Sequence, residues 1–262
     1  MRVYVLVLIL LVLTLLYHRK FFSKTMLTNE INPIKTFRGF PSVIFRTIGD
    51  KKVFQAVYDS CQRKWQELNP DFTIVWYTNK DCDRFMKQHY SGEVFHAYKT
   101  LRPGAYKADL WRLCVLNKFG GFYIDAFATP YVSLKNMLKN VEVPFVSVLD
   151  SGFFGQGIHN GIIFSQRGHP FLVQGINDIV ENVNKRYYGN SPIDITGPTA
   201  LSKSIKKLAG KDHKIGLNKG IFPYYLYQHF YGLNQNIYKG ETKIISKYFS
   251  FTFYIIHKVF SK

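Results

Sequence analysis

Between Ala105 and Pro130 the chain sets Asp109 and Arg112 three residues apart and places a third ionisable side chain, Asp125, directly after the apolar run Phe122-Tyr123-Ile124. Two carboxylates and a guanidinium can accept hydrogen bonds from hydroxyl groups, grip an oxyanion or hold a cation, and a polar, phosphorylated ligand asks for all three. Spacing of i and i+3 puts Asp109 and Arg112 on one helix face, within reach of each other or of a common partner. A structural ion pair satisfies that spacing equally well, so both readings stay open on spacing alone.

The elements that must position these groups can be read around them. Ala105 to Phe119 is apolar on nearly every side, as expected of a helix covered by protein on most faces, where a lone charge is costly. Gly120 is placed to cap that helix and Gly121 to turn the chain straight into the next strand. In open α/β sheets the crevice beyond the carboxyl ends of the strands holds the ligand, so Asp125 is placed for ligand or metal rather than for the core. Upstream, Ser42–Thr47 reads as a buried strand, and Asp50 as the cap of a helix to about Leu68 with Val53, Val57, Cys61, Trp65 and Leu68 at helical spacing. Phe72–Tyr77 reads as a second strand, followed by a short helix capped by Asn79 and ending near His89. Downstream, Phe145–Leu149 forms a strand ending in Asp150, and Gly155 to Gly161 leads into the strand Ile162-Ile163-Phe164. This alternation is the pattern of a parallel sheet. Phe45 and Trp76 are read as core, with stacking on a base as the alternative. His159 is read either as a ligand contact or as a satisfied structural histidine, and His169, beside Pro170, as a loop or cap residue.

The run Ala-Tyr-Lys-Ala-Asp-Leu-Trp-Arg-Leu, followed by Phe-Gly-Gly-Phe-Tyr-Ile-Asp, resembles the core motif of glycosyltransferase family 32, the DXD-containing sugar-binding glycosyltransferases, among them fungal mannosyltransferases. The similarity extends from Pro41 to Leu208 and is strong between Ala105 and Asp125. The resemblance implies a GT-A type, Rossmann-like nucleotide-sugar domain that transfers a hexose from a UDP- or GDP-sugar to a glycan or glycolipid acceptor with retention. By the same resemblance Asp109, Arg112 and Asp125 are the catalytic set, and Asp109, Arg112, Tyr123, Asp125, His159 and Asn160 bind the donor. Asp125 is the first acid of the DXD motif. The second acid is absent, since the chain reads Asp125-Ala126-Phe127. A leaving nucleoside diphosphate needs positive charge on its oxygens. Three arrangements answer that need: Mn²⁺ or Mg²⁺ on Asp125 with help from Asp150 or His159; lysine and arginine side chains in place of the metal; or a protein that binds without turning over. Ile44-Phe45-Arg46-Thr47 departs from the family's histidine-containing first strand, and no role is carried over to it. His159-Asn160, Gly168-His169-Pro170 and Thr196-Gly197-Pro198 resemble landmarks of the family's second half, the last opening a helix to about Leu208.

The 262 residues, 47% hydrophobic and 17% aromatic, can bury a substantial core. The net charge of +18 is spread from Arg2 to Lys262. It suits anionic lipid or an anionic donor, and the chain has no zinc spacing, RNA-binding aromatic motif or compact basic helix that would point to nucleic acid. Three cysteines, Cys61, Cys82 and Cys114, allow at most one disulfide and have no metal-ligand spacing. Residues 1–22 are expected to form an uncleaved signal-anchor helix: Val3–Leu16 is uncharged, and bulky Leu15, Leu16 and Tyr17 stand where cleavage needs small residues. Residues 23–40 then form a stem, 41–242 the GT-A domain, and 243–262 an aromatic and basic segment that is core or membrane-interfacial. The expected topology is type II with a lumenal Golgi or ER domain, although Arg19, Lys20 and Lys24 after the span against Arg2 before it favour the opposite orientation.

Overall fold

The computed structural model describes residues 35–49, 55–126, 128–130, 132–139, 143–150 and 157–209, with short strands at 224–225, 228–229 and 252–253. The expected signal-anchor, the Asp50 cap, Phe127, and the 243–262 segment apart from 252–253 lie outside the described residues. Among the described residues no helix is long and apolar enough to cross a membrane.

The fold begins within the stretch expected to be stem. Strands β1 (Thr36–Phe37) and β2 (Phe40–Pro41) pair as a hairpin. Its turn residues Arg38 and Gly39 both have positive φ, the geometry of a tight hairpin turn. Phe40 is fully buried against Phe122, and Phe37 meets Phe72 edge to face, so apolar burial draws this segment into the domain.

The central sheet runs β4-β3-β5-β8-β7, with β3 Val43–Thr47, β4 Thr73–Tyr77, β5 Gly121–Ile124, β7 Phe145–Asp150 and β8 Gly157–Ser165; β6, Thr129–Pro130, pairs with β9, Tyr224–Tyr225, outside it. Strands β3, β4 and β5 are parallel, as the alternation predicts. Strand β8 runs antiparallel to both β5 and β7, so the sheet is mixed rather than parallel. The reason is the connection: the few residues between Asp150 and Gly157 are too short for the crossover that parallel pairing needs. Strand β8 also starts earlier than Ile162, taking His159-Asn160-Gly161 into the sheet at an irregularity opposite Ser147 and Val148. There the Ser147 hydroxyl lies 3.1 Å from the His159 carbonyl and 2.9 Å from that of Ile162, satisfying backbone groups that the interrupted ladder leaves over.

Helices Gln55–Leu68, Asn79–His89, Gly92–Thr100, Gly104–Phe119, Leu134–Met137, Pro170–Asn184 and Pro198–Ala209 surround the sheet. The second is capped one residue before the expected Asn79: Thr78 and Asp81 form a reciprocal capping box. His169 caps the Pro170–Asn184 helix through Nδ1, which accepts from the Phe171 amide. The Gly104–Phe119 helix is buried at every position from Asp109 to Leu116, which explains its apolar sequence on all faces. Tyr77 and Phe85 pack edge to face or tilted against its Trp111, and Phe85 also against its Phe119. Gly120 ends it at φ 69°, and a Cβ there would stand 2.8 Å from the Arg167 amide nitrogen. Cys61, Cys82 and Cys114 are buried free thiols.

Candidate functional site

The N-terminal half of the Gly104–Phe119 helix, the end of β5 and the irregular part of β8 meet at one point. Arg112 stands at the centre. Its Nη2 is 3.1 Å from Asp109 Oδ1, its Nη1 is 3.3 Å from Asp125 Oδ1, and the same Nη1 donates to the Asn160 carbonyl at 2.7 Å. Its Nε donates to the Ala108 carbonyl, and its guanidinium lies 4.5 Å above the Tyr123 ring. The Tyr123 hydroxyl donates to Asp125 Oδ1 at 2.7 Å. Asp109 accepts from Asn160 Nδ2 at 2.9 Å on Oδ1 and from the Thr196 hydroxyl at 2.8 Å on Oδ2.

The structure therefore brings Asp109, Arg112, Tyr123, Asp125 and Asn160 together, and it realises the ion pair and the convergence at once. Their exposures differ. The side chain of Asp125 is 18% exposed, that of Arg112 is 8%, and Tyr123 as a residue is 1%. Tyr123 thus lies beneath Asp125 and orients it, while Asp125 presents its carboxylate outward. Burial raises the Asp109 carboxyl above its ordinary range, against the pull of Arg112 and the two hydrogen bonds. Burial also works against the Arg112 charge, but Tyr123, Asp125 and Asp109 outweigh it and hold the guanidinium protonated. Burial and the Asp125 carboxylate raise Tyr123, which stays a donor although Arg112 draws it down. With both acids ionised the trio carries one net negative charge, a surplus that a cation or a set of sugar hydroxyls satisfies and a bare diphosphate does not.

His159 and Asp125 flank Gly161. A Cβ on Gly161 would stand 2.4 Å from Asp125 Oδ2 and 2.5 Å from His159 Cε1, so carboxylate and imidazole occupy the space a side chain would fill. His159 Nδ1 accepts from the Gly161 amide at 3.2 Å, and the Gly161 carbonyl accepts from the Asp125 amide at 2.8 Å. Asp150 ends β7 opposite Gly157, and its side chain lies outside the described residues. Among the described residues no three carboxylate, imidazole or thiol groups cluster as a metal site.

Sequence reading assigned no role to Arg46, yet it shapes the site from below. It is fully buried on β3, and its Nη2 reaches the carbonyls of Asp125 at 2.8 Å, Ala126 at 2.7 Å and Ala128 at 3.0 Å. Its guanidinium lies over the rings of Trp76 and Trp65, and Trp65 Nε1 donates to the Ala128 carbonyl. Trp76 is thereby a wall for Arg46, and Phe45, stacked on Phe119, is core. The one signal was a charged residue within a run of buried strand positions, Val43 to Phe45.

Residues 56–143 match the model of a glycosyltransferase sugar-binding region containing a DXD motif. This match supports a likeness of residues 56–143 to glycosyltransferase family 32. The chain is 25% identical over 236 residues to an initiation-specific alpha-1,6-mannosyltransferase of Candida albicans, covering 80% of this chain and 59% of that protein. It is 26% identical over 176 residues to the mannosyl phosphorylinositol ceramide synthase CSH1 of Saccharomyces cerevisiae, covering 63% of this chain and 44% of that protein. The chain thus spans less than two thirds of the length of either relative. Among solved structures it is similar to the PaToxG glycosyltransferase, with TM-score 0.50 and 13% identity over 64% of this chain and 69% of that one, a likeness of fold. The mixed sheet and its helices fit a GT-A-like fold. Asn160 and Thr196 lie beyond the matched residues, yet both hydrogen-bond to Asp109.

Proposed function

We propose that this chain is a membrane-anchored glycosyltransferase that moves a hexose from a UDP- or GDP-sugar to a hydroxyl of a glycan or glycolipid, with retention. One observation carries the reading: the outward-facing Asp125 carboxylate at the tip of β5, fixed on one oxygen by Tyr123 and Arg112 and left with Oδ2 toward His159 and Gly161. In this reading Asp125 Oδ2 and His159 would hold Mn²⁺ or Mg²⁺, which would supply positive charge for the leaving diphosphate.

The residues of this chain do the positioning. Asp125 would ligate such an ion or accept hydrogen bonds from donor hydroxyls. Arg112 and Tyr123 fix the carboxylate so that no reorganisation is needed as charge develops. Asp109, already bound by Arg112, Asn160 and Thr196, has its remaining acceptor capacity for a sugar hydroxyl. In the expected organisation residues 1–22 anchor the protein and the folded domain, beginning at Lys35, faces the Golgi or ER lumen.

A second reading rests on the Asp125-Ala126-Phe127 sequence: without a second acid the site binds a nucleotide sugar and does not turn it over. Purified full-length protein in detergent, incubated with a panel of UDP- and GDP-sugars with and without Mn²⁺, separates the two. Release of nucleoside diphosphate supports the transferase. Saturable binding of donor without release supports the second reading, and absence of both rejects each.

A further inference from the structure

The two oxygens of Asp109 are held unequally. Oδ1 accepts from Arg112 Nη2 and from Asn160 Nδ2, which occupy both lone-pair directions of that atom. Among the described residues Oδ2 accepts one hydrogen bond, from the Thr196 hydroxyl at 2.8 Å. The open acceptor direction of Asp109 therefore lies on Oδ2, on a side chain that is 12% exposed. A carboxylate pinned at one oxygen still turns about its Cβ–Cγ bond, whereas donors on both oxygens fix its plane. Thr196 is the donor that makes the difference.

Thr196 is 1% exposed, and the main chain is held on both sides of it. Before it, the Pro192–Asp194 turn is closed by Asp194, whose Oδ2 accepts from the amides of Asn190 at 2.8 Å and Ser191 at 3.1 Å. The carbonyl of fully buried Ile195 accepts from Asn182 Nδ2 at 2.8 Å. After it, the Gly197 carbonyl accepts from the Leu201 amide at the start of the Pro198–Ala209 helix. The hydroxyl thus reaches Asp109 from a fixed backbone. A second buried hydroxyl donates to a carboxylate elsewhere, Ser204 to Asp178, and there the other donors, Gln174 and Lys207, belong to the same two helices. That bond joins helices and faces none of the groups gathered at Arg112.

We propose that Thr196 is a positioning residue for donor recognition: it fixes the plane of the Asp109 carboxylate so that the open side of Oδ2 takes a hydroxyl of the transferred hexose. This rests on the reading of the chain as a hexosyltransferase. A hexose offers hydroxyl donors to that oxygen, and a diphosphate, which only accepts, offers none. The charged and titratable groups that face Asp109 are Arg112 on its own helix and Asp125 and Tyr123 on β5, with Asn160 on β8 and Thr196 as neutral donors. Burial raises its carboxyl, Arg112 and the Thr196 and Asn160 hydrogen bonds lower it, and Asp125 raises it. Loss of the Thr196 bond therefore moves protonation of Asp109 to higher pH.

Calorimetry on the purified full-length protein in detergent compares binding of UDP- and GDP-hexoses with binding of UDP and GDP alone. Thr196→Val keeps the shape and removes the hydroxyl. It is expected to weaken the sugar nucleotide about tenfold, to leave the nucleoside diphosphate unchanged, and to move the acid-side loss of sugar-nucleotide affinity to higher pH. Thr196→Ser keeps the hydroxyl and is expected to restore both affinity and pH profile. Asn182→Ala frees the Ile195 carbonyl without touching Asp109 and is expected to act in the same direction by a smaller factor, so the test survives a Thr196→Val protein that does not fold. Ser204→Ala, which removes the bond to Asp178, is expected to lower the thermal midpoint and change neither affinity. Equal weakening of sugar nucleotide and nucleoside diphosphate in the Thr196 and Asn182 variants, or no weakening of either, overturns the proposal and leaves the transferase reading in place. A native protein that binds no sugar nucleotide overturns both.

Discussion

Two arginines hold Asp125 and are partnered in different ways. Arg112 meets the carboxylates of Asp109 and Asp125 and the face of Tyr123. Arg46 is buried more completely, and its contacts are the carbonyls of Asp125, Ala126 and Ala128 and the faces of two indoles. The first fixes the side chain of Asp125, and the second fixes its main chain. The difference shows that one partly exposed carboxylate needs two kinds of support: a charge to hold its orientation and a set of donors to hold the turn it stands on. Removing Arg112 strands buried negative charge, whereas removing Arg46 strands neutral carbonyls, and the costs of the two differ accordingly.

Asp125 is shared by both, so its removal is expected to have the largest effect on turnover and little on stability. Asp125→Ala should lower the rate of donor turnover by about 10³-fold with a thermal midpoint close to that of the native protein, because Arg46 holds the turn through carbonyls that alanine keeps. Turnover at the native rate would remove Asp125 from the mechanism, and loss of the folding transition would make it structural. Arg112→Met should destabilise by about 3–5 kcal/mol in denaturant unfolding, since Asp109 is left buried without its partner. The double variant Arg112→Met with Asp109→Leu should recover much of that loss while remaining inactive, a result that separates the ion pair's structural contribution from its chemical one.

Arg46→Met should cost less, about 1–3 kcal/mol, and should show its effect in kcat more than in KM. A larger loss than that of Arg112→Met would reverse the ranking of the two arginines. Asn160→Ala, which removes one hydrogen bond from Asp109 and leaves the Asn160 carbonyl for Arg112, should cost about 1 kcal/mol and raise KM for the donor.

The smallest effect sharpens the contrast with a carboxylate remote from the site. Asp178 ties two helices together by accepting from Gln174, Ser204 and Lys207. Although burial is the largest single influence and pushes its carboxyl up, Lys207, Ser204 and Gln174 together hold it below the ordinary value. A lowered folded-state value means that its contribution is complete above the unfolded carboxylate range and is lost as pH falls through the lowered value. The stability deficit of Asp178→Asn should therefore be full at neutral pH and shrink below about pH 4. Asp109, raised by burial, has the opposite sign: its contribution is complete at acid pH and lost as pH rises through its raised value. A deficit in Asp178→Asn that is independent of pH would show that the lysine contact does not persist in solution.

Much of the local structure was legible because it is written in neighbouring residues. The covered helix, its Gly120 end, the turn into β5 and the acid at the strand's tip follow from side-chain size, periodicity and glycine's access to positive φ. Asp109, Arg112 and Asp125 were visible because charges are costly inside apolar runs. The hairpin at Thr36–Pro41 was missed because two aromatic residues are too few to establish a period. The reversed direction of β8 was missed because the short apolar run Ile162-Ile163-Phe164 reads the same in either direction.

What the sequence alone determined is which charges must be paired and which elements carry them. The tertiary structure decided the pairing: Asn160 and Thr196 close on Asp109 from 51 and 87 residues away, Arg46 reaches the Asp125 turn from a strand beginning at Val43, and Tyr123 turns beneath the carboxylate it orients. The physical reason is range. Backbone preference and hydrophobic periodicity act within a few residues, whereas the desolvation of a buried charge is relieved by whichever polar groups the packed fold brings beside it.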